Sequence, residues 1–401
     1  MNRQQILSEA DHCVKCGLCL PHCPTYQVTG DEGDSPRGRI ALIQAIAEGV
    51  LDSPRANDHL DRCLGCRNCE TACPSGVSYG ELLDSIRQLS PPTRDHDSST
   101  LLRLLPGLAH NSLSIPALRA YQKSGARKLA RRIGGERFRR LDQLLPTLDS
   151  PRKTKPLYQA IGTKRGRVGL FTGCVGRITD MSAIESAIRV LTHLGLEVAV
   201  PEEQACCGAM DQHDGRTEKS AQLALKNQEA FGGLQLDALI TLASGCGGQL
   251  KEQGEKGLLQ TAPVMDFSHF IMQLQDPHAV RLEPSDARLL LHTPCSLKNV
   301  MRCPDEPRRM LELIPGLRIE ELPSGGCCGG AGSFMLTQPE LAESLRSPLI
   351  ESIAQSAPDF VVTSNTGCAL HLRTGLEQAG ISIPVVHPAE LIARQLPSGE
   401  K

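Results

Sequence analysis

The sequence predicts a multidomain α+β protein in which a helical, cysteine-rich module precedes two duplicated α/β lobes. Two matching cysteine runs occupy the N-terminal part of the chain. From residue 167 onward, short β-like runs alternate with helical ones, as in parallel α/β units. This half also repeats itself, because Cys174 and Cys295 are 121 residues apart, as are Cys206 and Cys327. We therefore expect four segments, at residues 1–90, 91–165, 166–284 and 285–401.

The N-terminal module is defined by two runs of the form C-x2-C-x2-C-x3-C-P. This spacing is typical of paired [4Fe-4S] clusters, because three thiolates on a tight loop reach one cubane and the fourth reaches its neighbour. The first expected cluster has the ligands Cys13, Cys16, Cys19 and Cys73, and the second has Cys63, Cys66, Cys69 and Cys23. A disulfide framework or a pair of zinc sites is the alternative. Two complete copies that end in Cys-Pro favour the clusters.

Helical segments lie between and after the two runs. An apolar stretch from Ile40 to Ala47 stops at Gly49, which indicates a short helix with a glycine end. A second helix is expected before a pair of prolines, with its apolar face made by Leu82, Leu83, Ile86 and Leu89. These helices predict an α-helical ferredoxin module at residues 1–90, not a compact β-rich ferredoxin.

Residues 91–165 are predicted to form a helical connector. The segment is interrupted by prolines and is strongly basic from Lys123 to Arg140, where Glu136 is the counter-charge. Runs of charge usually form a solvated face, which is the simpler interpretation. The alternative is a basic surface that docks an acidic partner or anionic lipid headgroups.

Each α/β lobe is predicted to gather four cysteines at the carboxyl ends of its strands: one after the first strand, a Cys-Cys-Gly after the second and one after the third. The first set is Cys174, Cys206, Cys207 and Cys246, and the second is Cys295, Cys327, Cys328 and Cys368. The carboxyl edge is the usual site position in open α/β sheets, so each set is a candidate metal site. A redox disulfide, buried apolar thiols and tetrathiolate zinc are the alternatives.

Four further residues near the strand ends are less specific. His269, His292 and His387 could hydrogen-bond cluster sulfurs and shift a potential, although such residues are more often ordinary turn or core histidines. Cys303 has no counterpart in the first lobe and is expected to be a plain core or surface thiol.

Composition excludes several functional classes. The net charge is −2, aromatic residues make up 3% and Trp is absent, so we expect no nucleic acid partner. No apolar run reaches the roughly 18 residues that a membrane-spanning helix needs, so we expect no transmembrane segment. The polar N-terminus lacks a secretory signal. We expect a cytoplasmic protein, peripheral at most on the cytoplasmic side of the inner membrane.

Taken together, the cysteine runs and the Cys-Cys-Gly lobes resemble the iron-sulfur subunit of bacterial glycolate oxidase over nearly the whole chain. The most specific stretches are Cys23-Pro24-Thr25-Tyr26, Pro36-Arg37-Gly38-Arg39 and Arg67-Asn68-Cys69-Glu70. The lobes also resemble heterodisulfide reductase, but this sequence lacks the closing cysteine of each lobe. Gln249 and His371 stand at those two positions. A cubane, another cluster form or no cluster in the lobes therefore remain open.

The resemblance implies an electron-transfer subunit of a multi-subunit oxidoreductase. A partner FAD-binding dehydrogenase subunit would oxidise glycolate to glyoxylate, or D-lactate, and this chain would relay the electrons toward the quinone pool. The related families suggest the iron-sulfur subunit of a D-lactate or glycerol-3-phosphate dehydrogenase as an alternative. A catalytic heterodisulfide-reductase-like enzyme and a zinc-held scaffold are two further alternatives. We expect no independent substrate oxidation and no catalytic residue in this chain.

Overall fold

The computed structural model describes residues 1–90, 114–148, 154–274, 281–323 and 327–397. Residues 91–113 and 149–153, which belong to the predicted connector, lie outside this range. The predicted boundaries between the four segments stay predictions.

The N-terminal module is helical. Its helices are α1 (Arg3–Ala10), α2 (Pro24–Thr29), α3 (Pro36–Glu48), α4 (Pro54–Asp61), α5 (Asn68–Thr71) and α6 (Tyr79–Leu89). The predicted helix at 40–47 begins earlier, because the Ser35 hydroxyl caps it by accepting the Gly38 N–H at 2.9 Å. It ends as predicted at Gly49, which has a left-handed φ of 78°. Leu82, Leu83 and Ile86 are buried, but Leu89 is 43% exposed, so its predicted place on the buried face is wrong.

The described part of the connector holds α7 (Ser114–Lys123), α8 (Ala126–Ile133) and α9 (Glu136–Leu144). Its basic residues have more partners than the sequence indicates. Arg127 Nε lies 3.1 Å from the carboxylate of Asp142, and Arg131 pairs with the same group. Arg140 pairs with Glu340 at 3.2 Å as well as with Glu136. The expectation that Glu136 is the only counter-charge of the basic run was wrong. Asp142 and Glu340, which lie outside the run, also pair with its arginines.

The first α/β lobe is built on five strands: β1 (Leu157–Tyr158), β2 (Gly166–Phe171), β3 (Leu196–Ala199), β4 (Ala238–Thr241) and β5 (Val264–Asp266). Their order is β1-β3-β2-β4-β5, and only β1 is antiparallel to its neighbour. The helices are α10 (Gly176–Thr179), α11 (Met181–His193), α12 (Ala209–His213), α13 (Thr217–Phe231), α14 (Ser244–Glu255) and α15 (Phe267–Gln273). The sheet therefore has the parallel, doubly wound arrangement that alternating strands and helices predict.

The second lobe has four parallel strands: β6 (Arg288–His292), β7 (Arg318–Glu321), β8 (Phe360–Thr363) and β9 (Val385–Val386). Their order, β7-β6-β8-β9, is that of β3-β2-β4-β5 in the first lobe. A π-helical turn at Leu297–Met301 follows β6. The helices are α16 (Glu306–Leu311), α17 (Phe334–Thr337), α18 (Pro339–Ser356), α19 (Thr366–Gln378) and α20 (Pro388–Arg394).

The two lobes share one apolar core. Side chains from both sheets, including Val168, Leu170, Leu291 and Val362, are at most 2% exposed and belong to one cluster. Burying such a side chain contributes about 1.5–3 kcal/mol. The contacts are reciprocal: α11 of the first lobe packs on α20 of the second, and α15 packs on α16. Reciprocal packing of equivalent helices is the mark of a pseudo-twofold axis between the lobes.

The helical module docks on both lobes. Arg67 forms an ion pair with Glu252 in α14, and Asp84 Oδ1 lies 3.2 Å from His213 Nδ1 in α12. On the second lobe, Asn299 Nδ2 donates to the Cys66 carbonyl oxygen at 2.6 Å. Within the described ranges, we find no helix with the length and apolarity that crossing a membrane requires.

Candidate functional site

The two N-terminal cysteine runs share a backbone conformation. Lys15 and Gly65 occupy the same position in their runs and have φ values of 58° and 64°. Gly17 and Arg67 are likewise equivalent, with φ values of 84° and 58°. Paired left-handed residues curl each loop so that its thiols face inward. The left-handed conformation of Lys15 and Arg67 is unusual for residues with a side chain. Residues in such sparsely populated conformations cluster at functional sites.

Two adjoining cavities lie between the runs, and each draws cysteines from both. The lining thiols of the first include Cys13, Cys16, Cys19 and Cys73, and those of the second are Cys23, Cys63, Cys66 and Cys69. Pro36, Cys69 and Tyr79 contribute to the walls of both cavities. The chain thus brings together the two sets of four thiols that the spacing predicts.

The second cavity contains several groups that favour negative charge on sulfur. The buried Arg39 guanidinium places Nη1 3.8 Å from Cys23 Sγ, and the Tyr79 hydroxyl lies 3.5 Å from Cys63 Sγ. The Gly65 N–H donates to Cys63 Sγ at 3.4 Å. Burial alone would raise the pKa of the Cys63 thiol, but the Arg39 and Arg87 guanidinium groups lower it below its ordinary value.

Arg39 is held by a buried polar network. Its Nε donates to the His59 carbonyl oxygen at 2.7 Å, and its Nη2 lies 3.3 Å from Asp34 Oδ1. His59 Nδ1 lies 3.0 Å from the same carboxylate oxygen, and Arg62 approaches its other oxygen at 3.4 Å. The network fixes the guanidinium beside the thiols. In the sequence, Arg39 belongs to one of the stretches that carry the resemblance, but nothing there indicates this contact.

The first cavity opens toward solvent. Cys16 is exposed, and the neighbouring Val14 and Leu18 are 69% and 57% exposed. Arg37 Nη1 closes one side by donating to the Lys15 carbonyl oxygen at 3.2 Å. Burial raises the pKa of the Cys19 thiol on the inner side. The first cavity therefore has exposed side chains at its rim, while two residues that line the second, Leu64 and Cys66, contact the second lobe.

The four predicted cysteines of the first lobe also meet. Cys174 Sγ lies 3.4 Å from Cys206 Sγ at the ends of β2 and β3. Hydrogen bonds from Cys207 to Cys206 and Cys246, together with burial, raise the pKa of the Cys207 thiol well above its ordinary value. The loops after three neighbouring strands thus deliver their thiols to one point, as expected at the carboxyl edge of a parallel sheet.

In the second lobe, Cys328 Sγ lies 2.7 Å from Cys368 Sγ, and Asn365 Nδ2 lies 3.3 Å from Cys368 Sγ. The ligand atoms of His292, Cys328 and Cys368 all lie within 4.8 Å of one another. Burial lowers the pKa of His292 to about 4, so its imidazole is neutral and able to accept or ligate. Burial and the neighbouring Cys327 raise the pKa of Cys295 to about 12.

The other two candidate histidines have different roles. His387 is the N-cap of α20, and its Nδ1 accepts the Ala389 N–H at 3.1 Å. His269 lies 3.4 Å from Glu306 at the contact between α15 and α16. Among the described residues, His292 is grouped with Cys328 and Cys368 of the predicted second set, whereas His269 is grouped with Cys303 and Glu306. The sequence could not separate the three, because each follows a strand end.

The glycine of each Cys-Cys-Gly is required by the backbone. Gly208 and Gly329 have φ values of 81° and 70°. A Cβ on Gly208 would lie 2.8 Å from Ser220 Oγ, and one on Gly329 would lie 2.4 Å from the Ala342 carbonyl oxygen. Their N–H groups point back to Cys206 and Cys327 Sγ, at 3.5 and 3.4 Å. Glycine therefore lets the turn pack closely while its amide binds the sulfur.

The second cavity adjoins the cysteines of the second lobe. Asn299, four residues after Cys295, holds the Cys66 carbonyl oxygen at 2.6 Å. Burial raises the pKa of the Cys66 thiol well above its ordinary value, and the charges of Cys295 and Cys327 add to that effect. Sequence reasoning missed Asn299, because nothing in the local pattern links it to a loop 233 residues away.

The donor set fits iron-sulfur clusters. Two groups of four cysteines, with N–H, hydroxyl and guanidinium groups directed at sulfur, match the ligation and hydrogen bonding that such clusters use. The lobe thiols are equally suited in chemistry, although a histidine or glutamine stands where related lobes have a closing cysteine. His371 at that position turns Nδ1 toward the Cys328 carbonyl oxygen, 2.5 Å away.

Two protein families match the chain. The 4Fe-4S dicluster domain matches residues 9–77. The Cysteine-rich domain matches residues 168–251 and again residues 289–373. The two matches of the second family fall on the two lobes that share a strand order.

Curated relatives agree over almost the full length. The probable glycolate oxidase iron-sulfur subunit of Bacillus subtilis (strain 168) is 32% identical over 95% of this chain and 93% of its own. The glycolate oxidase iron-sulfur subunit of Escherichia coli (strain K12) is 33% identical over 90% of this chain and 89% of its own.

A more distant relative is a subunit of the dihydromethanophenazine:CoB–CoM heterodisulfide reductase of Methanosarcina mazei. It is 24% identical over 97% of this chain and 95% of its own. Both resemblances noted from the cysteine patterns are thereby confirmed. The chain belongs to the family of glycolate oxidase iron-sulfur subunits.

Proposed function

We propose that this chain is the electron-transfer subunit of a multi-subunit oxidoreductase that converts glycolate to glyoxylate. The single observation that supports the relay is the pair of adjoining cavities, which are lined by five and four cysteines drawn from both runs and share Cys69. The substrate is inferred from the relatives' names, which specify glycolate oxidase. An FAD-binding partner subunit performs the oxidation, and this chain passes the electrons toward a quinone acceptor at the cytoplasmic side of the membrane.

The proposed ligands are Cys13, Cys16, Cys19 and Cys73 for one [4Fe-4S] cluster and Cys63, Cys66, Cys69 and Cys23 for the other. When bound, each cluster supplies a site that accepts and releases one electron. The protein contributes the rest: the loops orient the thiolates, and Leu64 and Tyr79 line the second cavity and exclude water. Arg39, with its charge beside Cys23, stabilises added negative charge there and raises the potential of that site.

The exposure of the cavities suggests a direction for the relay. The first cavity opens beside the exposed Val14 and Leu18, which provide an apolar rim for a partner subunit. The second cavity lies against the second lobe through Asn299. We therefore propose that electrons pass between the partner and the lobes through the first and then the second cavity. The second-lobe cysteines, being next to the second cavity, are the proposed site of any further cluster.

Counting iron and sulfide in variants tests the ligand sets. The anaerobically purified protein should hold about eight iron atoms in the N-terminal module, because a [4Fe-4S] cluster needs four cysteines. Cys23→Ser should perturb the EPR signal of the second site and Cys73→Ser that of the first. Cys303→Ser, which lies outside both cavities, is the matched control and should keep all the iron. The reverse pattern for Cys23 and Cys73 would refute the exchange.

The substrate assignment needs a separate experiment. Deleting the gene should abolish glycolate-dependent quinone reduction in membranes, and restoring the chain should recover it. The Val14→Glu, Leu18→Glu variant should keep its clusters but lose copurification with the flavoprotein, because charge on the rim opposes apolar docking. Unchanged glycolate oxidation in the deletion strain would contradict the proposed substrate without affecting the cluster assignment.

A further inference from the structure

A second kind of metal-ligating group lies where the two lobes meet, away from the predicted cluster cysteines. The ligand atoms of His269, Cys303 and Glu306 all lie within 4.8 Å of one another. His269 Nδ1 is 3.4 Å from Glu306 Oε1, and Cys303 is only 1% exposed. The group joins α15 of the first lobe to the start of α16 in the second. An imidazole, a thiol and a carboxylate at one point are the ligand types that zinc takes in proteins.

A fourth ligand is available beside this group. Asp266 is 0% exposed and caps α15, with Oδ1 accepting the Ser268 N–H at 2.8 Å. Its other oxygen, Oδ2, is buried and has no hydrogen-bond partner among the described residues. Asp266 lies three residues before His269 and caps the helix that carries it, and its charge acts on the Cys303 thiol together with that of Glu306. A buried carboxylate oxygen without a partner is costly, and a bound cation removes that cost.

The pseudo-twofold axis provides an internal comparison. With the 121-residue offset of the repeat, Cys303 corresponds to Ser182 and His269 to Glu390. As expected from the cysteine pattern, the first lobe has no thiol at the position that corresponds to Cys303. Ser182 Oγ donates to Glu390 Oε2 at 2.7 Å, so the equivalent helices make a direct hydrogen bond. The interface between α11 and α20 thus contains the Ser182 hydroxyl and the Glu390 carboxylate. The equivalent interface contains the Cys303 thiol and the His269 imidazole at the corresponding positions.

We propose that His269, Cys303 and Glu306, with Asp266 Oδ2 as the fourth ligand, bind one zinc ion that links the two lobes. Four protein ligands leave no open position, so the site is structural. The Gln273 amide lies 3.3 Å from His269 Nε2. The amide nitrogen faces the ring in the structure; turned by 180°, the amide places its oxygen there and accepts the Nε2 proton, which leaves Nδ1 free to bind the metal.

Metal analysis of the complete protein tests the site. The anaerobically purified chain is incubated with zinc, passed over a weak chelator and analysed for zinc, iron and sulfide in one sample. We expect about one tightly held zinc per chain in addition to the iron. Zinc X-ray absorption should show a single sulfur at about 2.3 Å and lighter ligands at about 2.0–2.2 Å. Cys303→Ser and His269→Gln should each lower zinc affinity at least tenfold while iron and sulfide stay constant.

The matched control is Ser182→Ala at the equivalent interface, which should keep full zinc. Glu306→Gln, a conservative change at a partly exposed side chain, serves if Cys303→Ser does not fold, and it should also weaken zinc binding. A wild-type protein that retains no zinc overturns the proposal. The proposal is also overturned if both His269→Gln and Cys303→Ser still bind zinc as the wild type does. A zinc spectrum with three or four sulfur ligands would overturn it too, because it would assign the metal to the Cys-Cys-Gly cysteines of the lobes.

Discussion

Arg39 offers the sharpest test of how the protein sets the potential of the second site. We predict that Arg39→Met lowers the reduction potential of that site, because the variant removes a buried positive charge 3.8 Å from Cys23 Sγ. At this distance and an effective dielectric constant of about 20, the charge–charge energy is roughly 4 kcal/mol. That value is an upper limit, because cluster charge is spread over many atoms and the Asp34 carboxylate opposes the guanidinium.

A third of the upper limit is a reasonable expectation. It corresponds to roughly 1.4 kcal/mol, or tenfold in the equilibrium constant, and hence to a fall of about 59 mV for a one-electron step. The same variant removes one of the three side chains that contact the buried Asp34 carboxylate, which costs at most roughly 3–5 kcal/mol of stability because His59 and Arg62 remain. Arg39→Lys is therefore the better-folded companion. It keeps the charge and should change the potential much less than Arg39→Met does.

The assay is an EPR-monitored redox titration of the anaerobic protein. Arg37→Met provides the matched control, since Arg37 lies on the same helix but is partly exposed, pairs with Glu32 and lines the first cavity instead of the second. It should leave the second site's potential nearly unchanged, because a partly exposed charge is screened and its partner Glu32 offsets it. The reasoning is refuted if Arg39→Met raises the potential, or if it shifts the potential no more than Arg37→Met does.

Three further variants test packing and charge. Gly329→Ala should lower the melting temperature more than Gly332→Ala does. Both residues have a positive φ, but only at position 329 would an added Cβ lie 2.4 Å from a carbonyl oxygen of α18. Equal decreases in melting temperature would contradict this reasoning. Asn299→Ala should speed limited proteolysis between the module and the second lobe, since it removes a 2.6 Å hydrogen bond, and unchanged cleavage would count against that contact. Burial would raise the pKa of Asp142, yet Arg131 and Arg127 hold it below its ordinary value. Stability from a lowered folded-state pKa is present above about pH 4 and lost as the pH falls through that pKa. Asp142→Asn should therefore cost about 2 kcal/mol in urea unfolding at pH 7 and progressively less as the pH is lowered below about 4; a pH-independent cost would be the contrary result.

Much of the fold could be predicted from local patterns. The glycine stop at Gly49 and the alternation of strands and helices from residue 167 onward both follow from side-chain periodicity and turn residues. Leu89 shows the limit of this reasoning. It has the right spacing for the buried face but lies in the last turn of its helix, where no neighbouring element among the described residues covers it.

Cysteine spacing led to two expected sets of thiols, and the members of each set line one cavity, although Cys69 lines both. The surroundings of the thiols were not predictable in the same way. Arg39 and Asn299 reach the second cavity through contacts that depend on how distant elements pack. The prediction about the charges of the basic connector was wrong for a related reason. Asp142 lies just beyond the basic run, and only folding brings its carboxylate into contact with Arg127 and Arg131.

The position of Cys73 in the first cavity and of Cys23 in the second has a consequence for maturation of the protein. Each cavity is lined by cysteines of both runs, so neither is completed by a chain segment that folds alone. With the proposed clusters, iron loading and folding of the module would be linked, since metal binding to a site that forms only on folding contributes folding free energy. A module with one cluster would lack the constraint that the other cluster imposes on the shared walls. We therefore expect the two proposed clusters to be assembled together.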